Sequence, residues 1–543
     1  MPRQPVFQRS PLLAAQRQAS RPGMIRSRHQ APARLLAMLP ENIPDSCLEG
    51  AVRLAACGYP VEAARTLRTR IAAQGEDGSL PGDALALARA AWVLAEQTGE
   101  RGLTETVACW LTWLGHHYDA WMAEEDRHYD AADLMSLAVD FYRMTGKRGG
   151  LVLLSRLRKD AFDWATALNT FSLQRPMAKA LPPEELAEGL QGGDEERRAY
   201  CRQQAAIGHA ECLADGMRAT LSGAVFSGSG TGLEACRRGW ERVTKTHGAV
   251  CGGTTADPML EGASPFAAID PAAVGAWTET LAAMAEAGMD WVIDPLERLT
   301  ANALSSCALV PGQALRVNAA GQKDAYGPLA AAEKALGRLL RGWAAVLSAA
   351  VMATPEGLDV LLPAEGLFVC PVGGSHCRLQ TAWQGDCFAL RLRMEQESLA
   401  TLRLRVPAWA GEAMWRLNGG EYETAAPGSW VEVERMWQDG DLIELSVKKQ
   451  LRVETGYHQS CTVWLGAELM ALDGSGTEPG EILALTGTPA LRDGKVTADV
   501  RPVAERTADM PVLPALAGET KTVTLQPFAL AKNPLAVFAG SRA

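Results

Sequence analysis

The stretch HGAVCGGTTADPMLEGASP, residues 247–265, gathers a histidine, a cysteine, a glycine pair and the carboxylates Asp257 and Glu261, with Asp270 close behind. Paired carboxyl groups can do general acid/base work: one donates a proton while the other accepts one or attacks. Asp257, Glu261 and Asp270 are therefore the catalytic candidates, and His247 beside them is a substrate-binding candidate. The same residues have a plainer use. Asp257 before Pro258 suits a turn, and Asp270-Pro271 has the chemistry of a helix start, an aspartate cap with proline in the first turn. A cap and a ligand are compatible wherever a helix end faces a pocket.

Other clusters carry less. HHYDAWMAEEDRHYDAAD, residues 116–133, is rich in nitrogen and oxygen donors, but its spacing fits no tight metal motif and reads as a charged loop between helices. FSGSGTGLEA, residues 226–235, has Leu233 where a dinucleotide fingerprint needs its last glycine, so it reads as a turn between helices. CPVGGSHC, residues 370–377, supplies three soft donors where a structural zinc needs four, and reads as a hairpin. Sugars stack their C–H faces on indoles, which makes Trp121, Trp164 and above all Trp277, near expected helix ends, candidates for a saccharide cleft.

The elements that would hold these residues change character once. From about residue 45 to 350 the apolar residues recur at i, i+3, i+4 and i+7, as in GDALALARAAWVLAEQTG, predicting Ala- and Leu-rich helices of hairpin length. Beyond about 355, short alternating runs such as CFALRLRM and DLIELSVK predict sandwich strands. The expected fold is an α/α helical toroid followed by a β-sandwich: an N-terminal arm over 1–39, the barrel over 40–350 and the sandwich over 351–543. A net charge of −10 argues against a nucleic-acid partner. Lacking an apolar run of membrane-spanning length, the chain is expected to be cytoplasmic and to have no membrane partner. Its 12 cysteines are scattered singly, with no CxxC pair, as buried thiols would be. The oligomeric state is not legible.

Three segments resemble one family. IDPLERLTANAL, with Asp294, Glu297, Arg298 and Asn302, the helix AIGHAECLADGMRATLSG, with His209, and the run LRLRVPAWA followed by LNG and GSWVEVERMWQDGDLIEL, with Arg405, Trp409, Asn418, Trp437 and Asp441, are similar to glycoside hydrolase family 127, the β-L-arabinofuranosidase family. The resemblance implies an (α/α)6 barrel whose open end binds a saccharide or glycoside, with β-sandwich packing. It makes His209 a substrate-binding candidate, and Asp130 and Asp133 pocket candidates at the start of the helix AADLMSLAVDFYRMTG, where Ala131 replaces the family's histidine. It further implies zinc held by cysteines and a glutamate, with one thiolate as nucleophile. Here the chain departs from the pattern. The family's cysteine pair falls at Lys334 and Ala335; in the length-preserving register Pro258, Asp270 and Ala272 take the positions of the acid/base, the metal glutamate and the third cysteine. A shifted register offers Glu261 and Glu279 instead and puts Leu281 at the cysteine. Either way no zinc site and no cofactor is expected. Two functions stay open: a glycoside hydrolase working by carboxylate chemistry, and a non-catalytic saccharide-binding or interaction module derived from one.

Overall fold

The computed structural model describes residues 18–19, 25–27, 30–124, 127–160, 162–171, 173, 193–307, 309–310, 313–317, 323–326, 329–372, 375–474, 481–504, 507, 509–531 and 534–540. Fourteen helices and four sheets are found among them. Six helices form an inner ring: α2 (Asp45–Ala56), α4 (Ala84–Thr98), α6 (Arg127–Thr145), α10 (Ala210–Ser227), α12 (Pro271–Glu286) and α14 (Leu329–Ala350). Each packs on the next, and α14 returns to α2. Outside them lie α3 (Ala63–Ile71), α5 (Arg101–Met122), α7 (Gly149–Asp160), α8 (Trp164–Thr170), α9 (Asp194–Gly208), α11 (Gly230–His247) and α13 (Ile293–Leu299), while α1 (Gln30–Leu36) packs on α14.

Side-chain polarity sorts the two layers. Every residue of α12 from Pro271 to Ala282 is buried, as a helix walled in on all sides requires. In contrast, α11 turns Glu234, Arg237, Arg238 and Glu241 to its outer face, where they pair at i+3 and i+4. The ring is tight where glycine permits: a Cβ on Gly275 would fall 2.5 Å from the Arg338 backbone, so α12 and α14 approach backbone to backbone. Among the described residues no helix is long and apolar enough to cross a membrane.

Among the described residues the helical half is interrupted by an antiparallel trio of strands at 309–310, 313–317 and 323–326 that the helical periodicity did not anticipate. The switch to strand comes at Val351, directly after α14. A five-stranded and a seven-stranded sheet share the main apolar core through Phe388, Leu390, Leu402, Val431 and Ile443. Two short strands of the N-terminal arm complete their edges: Gln18–Ala19 pairs with 351–353, and Ile25–Ser27 with 366–372. A third sheet, over 451–540, has its own core around Val463, Val500, Leu525 and Phe538.

Family-like residues tie these units together. Arg405 of the sandwich, 7% exposed, donates to Glu297 at 3.0 Å and also to Asp294. Arg298 stacks 3.9 Å above the Trp464 ring and pairs with Glu454 of the third sheet at 3.1 Å. Asn302 donates to the Ala467 carbonyl at 2.9 Å and accepts from Leu469 N–H at 2.7 Å. In the sandwich, Asn418 holds a left-handed turn by donating to Asp441 at 2.7 Å. These are structural duties.

Arg405→Met leaves the buried Glu297 carboxylate without its guanidinium, so equilibrium denaturation is expected to show a loss of about 3–5 kcal/mol. Arg393→Met, removing an exposed pair with Asp439, is expected to change stability by less than about 1 kcal/mol. Equal effects of the two substitutions would contradict a docking role for Arg405.

Candidate functional site

The barrel lumen is filled by charge. Every inner helix contributes to one lattice: Glu49 from α2, Arg89 from α4, Asp133 from α6, Glu211, Asp215 and Arg218 from α10, Glu279 from α12, and Arg338 and Arg341 from α14. Arg89 donates to Glu49 at 2.8 Å, Arg338 to Asp215 at 2.5 Å, Arg218 to Asp215 at 2.8 Å, and Arg341 lies 3.2 Å from Glu279 and 3.3 Å from Glu49. Arg89 and Arg218 both contact Asp133, and Arg338 also contacts Glu211. Lys334, at the outer end of α14, adds its ammonium 3.2 Å from Glu211. Five carboxylates thus face four guanidinium groups and one ammonium.

Burial alone would push these carboxyls up, but the cations outweigh it for most of them. Arg89 and Arg341 hold Glu49 down, Arg89 and Arg218 hold Asp133 well below the carboxylate range, and Arg341 and Arg218 lower Glu279. Glu211, against its burial, is held at about 2 by Arg338 and Lys334. Asp215 moves the other way: burial raises it against the pull of Arg338, with Asp133 adding to the rise.

The sequence-derived candidates fall around this plug. Asp133, expected in a pocket, is one of its ties, and Asp130 is half-buried in the first turn of α6. His209 caps α10, its Nδ1 accepting from Cys212 N–H at 3.5 Å, and burial lowers its pKa. Asp270 is buried and caps α12 by accepting from Ala272 N–H at 2.9 Å. Glu261 accepts from Ala268 N–H at 2.7 Å, and Asp257 is half-buried in a small hairpin where Ala256 pairs with Leu260. That hairpin crosses the start of α10, since Leu260 N–H donates to the Gly208 carbonyl at 2.8 Å. His247 is fully buried with both ring nitrogens engaged: Nε2 lies 3.0 Å from the Leu173 carbonyl and Nδ1 accepts from Gly262 N–H at 3.0 Å. Trp277 is fully buried, donating to Thr254 at 3.0 Å and meeting Trp240 edge-on. The structure therefore gathers His209, Glu211 and Lys334 at one end of the barrel and sends His247 and Trp277 into packing.

Arg89, Arg218, Arg338, Arg341 and Glu49 were not singled out from the sequence. Their signal was present: each is a charge inside an otherwise Ala- and Leu-rich helix, as in LALARAAWVL.

In the length-preserving register the positions expected to hold the metal lie together without thiolates, and in the shifted register Leu281 is likewise a buried apolar residue and Glu279 a member of the charge lattice. Ala272 and Ala335 meet in one small apolar cluster with Ala332, and the neighbouring Lys334 brings an ammonium. The nearby thiol of Cys212 is pushed well above its usual range by burial and by Glu211, the opposite of a zinc-binding thiolate. Among the described residues no group of three or more His, Cys, Asp or Glu is arranged to hold a metal ion. The residues present do not fit a zinc–thiolate centre.

The chain is an (α/α)6 toroid closed by two β units. Residues 377–449 match the model of the GH127 β-L-arabinofuranosidase middle domain. A solved glycoside hydrolase is similar over 97% of this chain and 98% of its own, with a TM-score of 0.73 at 14% identity. A GH127 β-L-arabinofuranosidase from Geobacillus stearothermophilus T6 is similar over 92% and 90%, with a TM-score of 0.66 at 17% identity. A further GH127 β-arabinofuranosidase covers 97% and 98%, with a TM-score of 0.57 at 13% identity. No curated protein matches the chain. The chain thus carries a segment that matches the GH127 middle domain, and its fold is similar to that of solved GH127 enzymes.

Replacing Arg338 by Met strands Glu211 and Asp215, with an expected loss of about 3–5 kcal/mol at neutral pH. The Glu211 pKa is depressed, so its share of stability is present above the unfolded value near 4.5 and is lost as pH falls toward about 2. Urea midpoints of wild type and variant should converge over that interval. A gap that widens on acidification would contradict the assignment.

Proposed function

We propose that this chain is a saccharide-binding protein built on the GH127 fold, and that it does not hydrolyse glycosides by either the thiolate or the two-carboxylate route. The observation that carries this reading is the pairing of the barrel carboxylates. A general acid must release a proton near the working pH, whereas Glu211 is held at about 2 by Arg338 and Lys334, and Asp215, which burial raises, is bound by both Arg338 and Arg218. A nucleophile or base must be free to approach the sugar, whereas Asp215, Asp133 and Glu279 are each tied to guanidinium groups inside the ring. Asp270 and Glu261 accept hydrogen bonds from backbone N–H groups as a helix cap and a loop tie. The saccharide ligand is inferred from the GH127 middle-domain match and the shared fold of glycoside hydrolases.

Purified protein is expected to show no turnover of aryl arabinofuranosides, galactosides or glucosides, while oligosaccharide binding is detected by calorimetry. Turnover that Asp270→Asn abolishes without lowering Tm would overturn this in favour of carboxylate hydrolysis. Because asparagine also caps helices, Tm itself should hardly move.

Chelation provides an independent check. Dialysis against EDTA is expected to leave Tm unchanged, since alanine and lysine stand where thiolates would be needed. Stoichiometric zinc whose removal lowers Tm would show that the ligands lie elsewhere.

A further inference from the structure

We infer that the cleft between the barrel's outer wall and the two β units is a binding site for a neutral oligosaccharide. This rests on the saccharide-binding reading above and locates the site away from the barrel mouth. The cleft encloses about 550 Å³, within the usual range of roughly 300–1,000 Å³ for small-molecule sites. None of His209, Asp270 and Lys334 lines it.

Its floor is the glycine pair of the 247–265 stretch. Gly252 and Gly253 have φ of +103° and +70°, and a Cβ on Gly252 would lie 2.7 Å from the Leu299 backbone, so only glycine lets this loop lie flat on α13. One wall is the end of α11 with Thr244; the opposite side carries Trp409 from the sandwich and Gln450 and Arg452 from the start of the third sheet.

The lining chemistry selects the ligand. Asp294 and Glu297 pair with Arg405, while Arg298 and Arg452 share Glu454. Three carboxylates balance three guanidinium groups, so a strongly charged ligand meets no excess of opposite charge. A polyhydroxylated neutral ligand meets donors and acceptors already fixed in place by their mutual pairing. Asp294 keeps 51% of its side chain exposed, leaving carboxylate surface for vicinal hydroxyls. Trp409 is partly exposed at the cleft edge, where a sugar's C–H face could stack, and the exposed Gln450 amide adds a donor and an acceptor at the rim.

The full-length protein should be titrated with arabinopentaose, cellopentaose and trigalacturonate, following tryptophan fluorescence and calorimetry. A neutral oligosaccharide is expected to bind and to perturb the fluorescence. Gln450→Ala, at an exposed position, should weaken Kd about three- to tenfold, the worth of one hydrogen bond. Trp409→Ala should weaken it further, and His209→Ala should leave it unchanged. Binding that is indifferent to Gln450→Ala and Trp409→Ala but lost in His209→Ala would overturn the location while leaving the saccharide-binding reading intact. Tighter binding of trigalacturonate than of the neutral probes would overturn the ligand class. No binding of either neutral probe would overturn both readings.

Discussion

The lattice of paired charges in the barrel lumen is the constraint on which the rest of the molecule turns. A ring of six helices leaves an axial space that must be filled, and here each inner helix fills its share with a charged side chain. Taking so many ions from water is costly, and their attraction offsets that only when each finds partners. Arg338 meets Asp215 and Glu211, and Arg341 bridges Glu279 and Glu49. Removing any one member exposes its partners to the full desolvation penalty. Such mutual dependence fixes the register of all six helices at once, which an apolar filling would specify less sharply.

The same lattice has a chemical consequence. A glycosidase barrel needs a space for the sugar ring and carboxyl groups poised to exchange protons. In this barrel the guanidinium groups hold Glu211, Asp133, Glu49 and Glu279 ionised. Ala272 and Ala335 pack with Ala332 as a small apolar cluster beside that lattice.

The seam between α13, the sandwich and the third sheet is held by Arg405, Arg298 and Asn302, and its ion pairs are oriented by docking before any ligand arrives. A cleft lined by pre-paired groups offers polar contacts that need little reorganisation. The residues that resemble the family most closely therefore serve assembly, and the cleft arises as a by-product of how the units meet.

Much of this was written in the sequence because it depends on local pattern. Apolar periodicity places the helices and the change to strands near 350, Asp270-Pro271 announces the cap of α12, and the sandwich motifs carry the family likeness. The strands at 309–326 escaped because they are a short excursion between helices, and no single periodicity dominates there. The charge lattice escaped for a different reason. Glu49, Arg89, Asp133, Glu279 and Arg338 lie on five different helices, and although each is a charge in an apolar helix, nothing in the sequence says which pairs with which. Only closure of the ring turns them inward and pairs them, because an ion pair depends on distance in space, which one-dimensional spacing does not encode. Likewise His247 and Trp277 had the chemistry of ligands, and the tertiary structure alone gave their polar atoms to Leu173, Gly262 and Thr254.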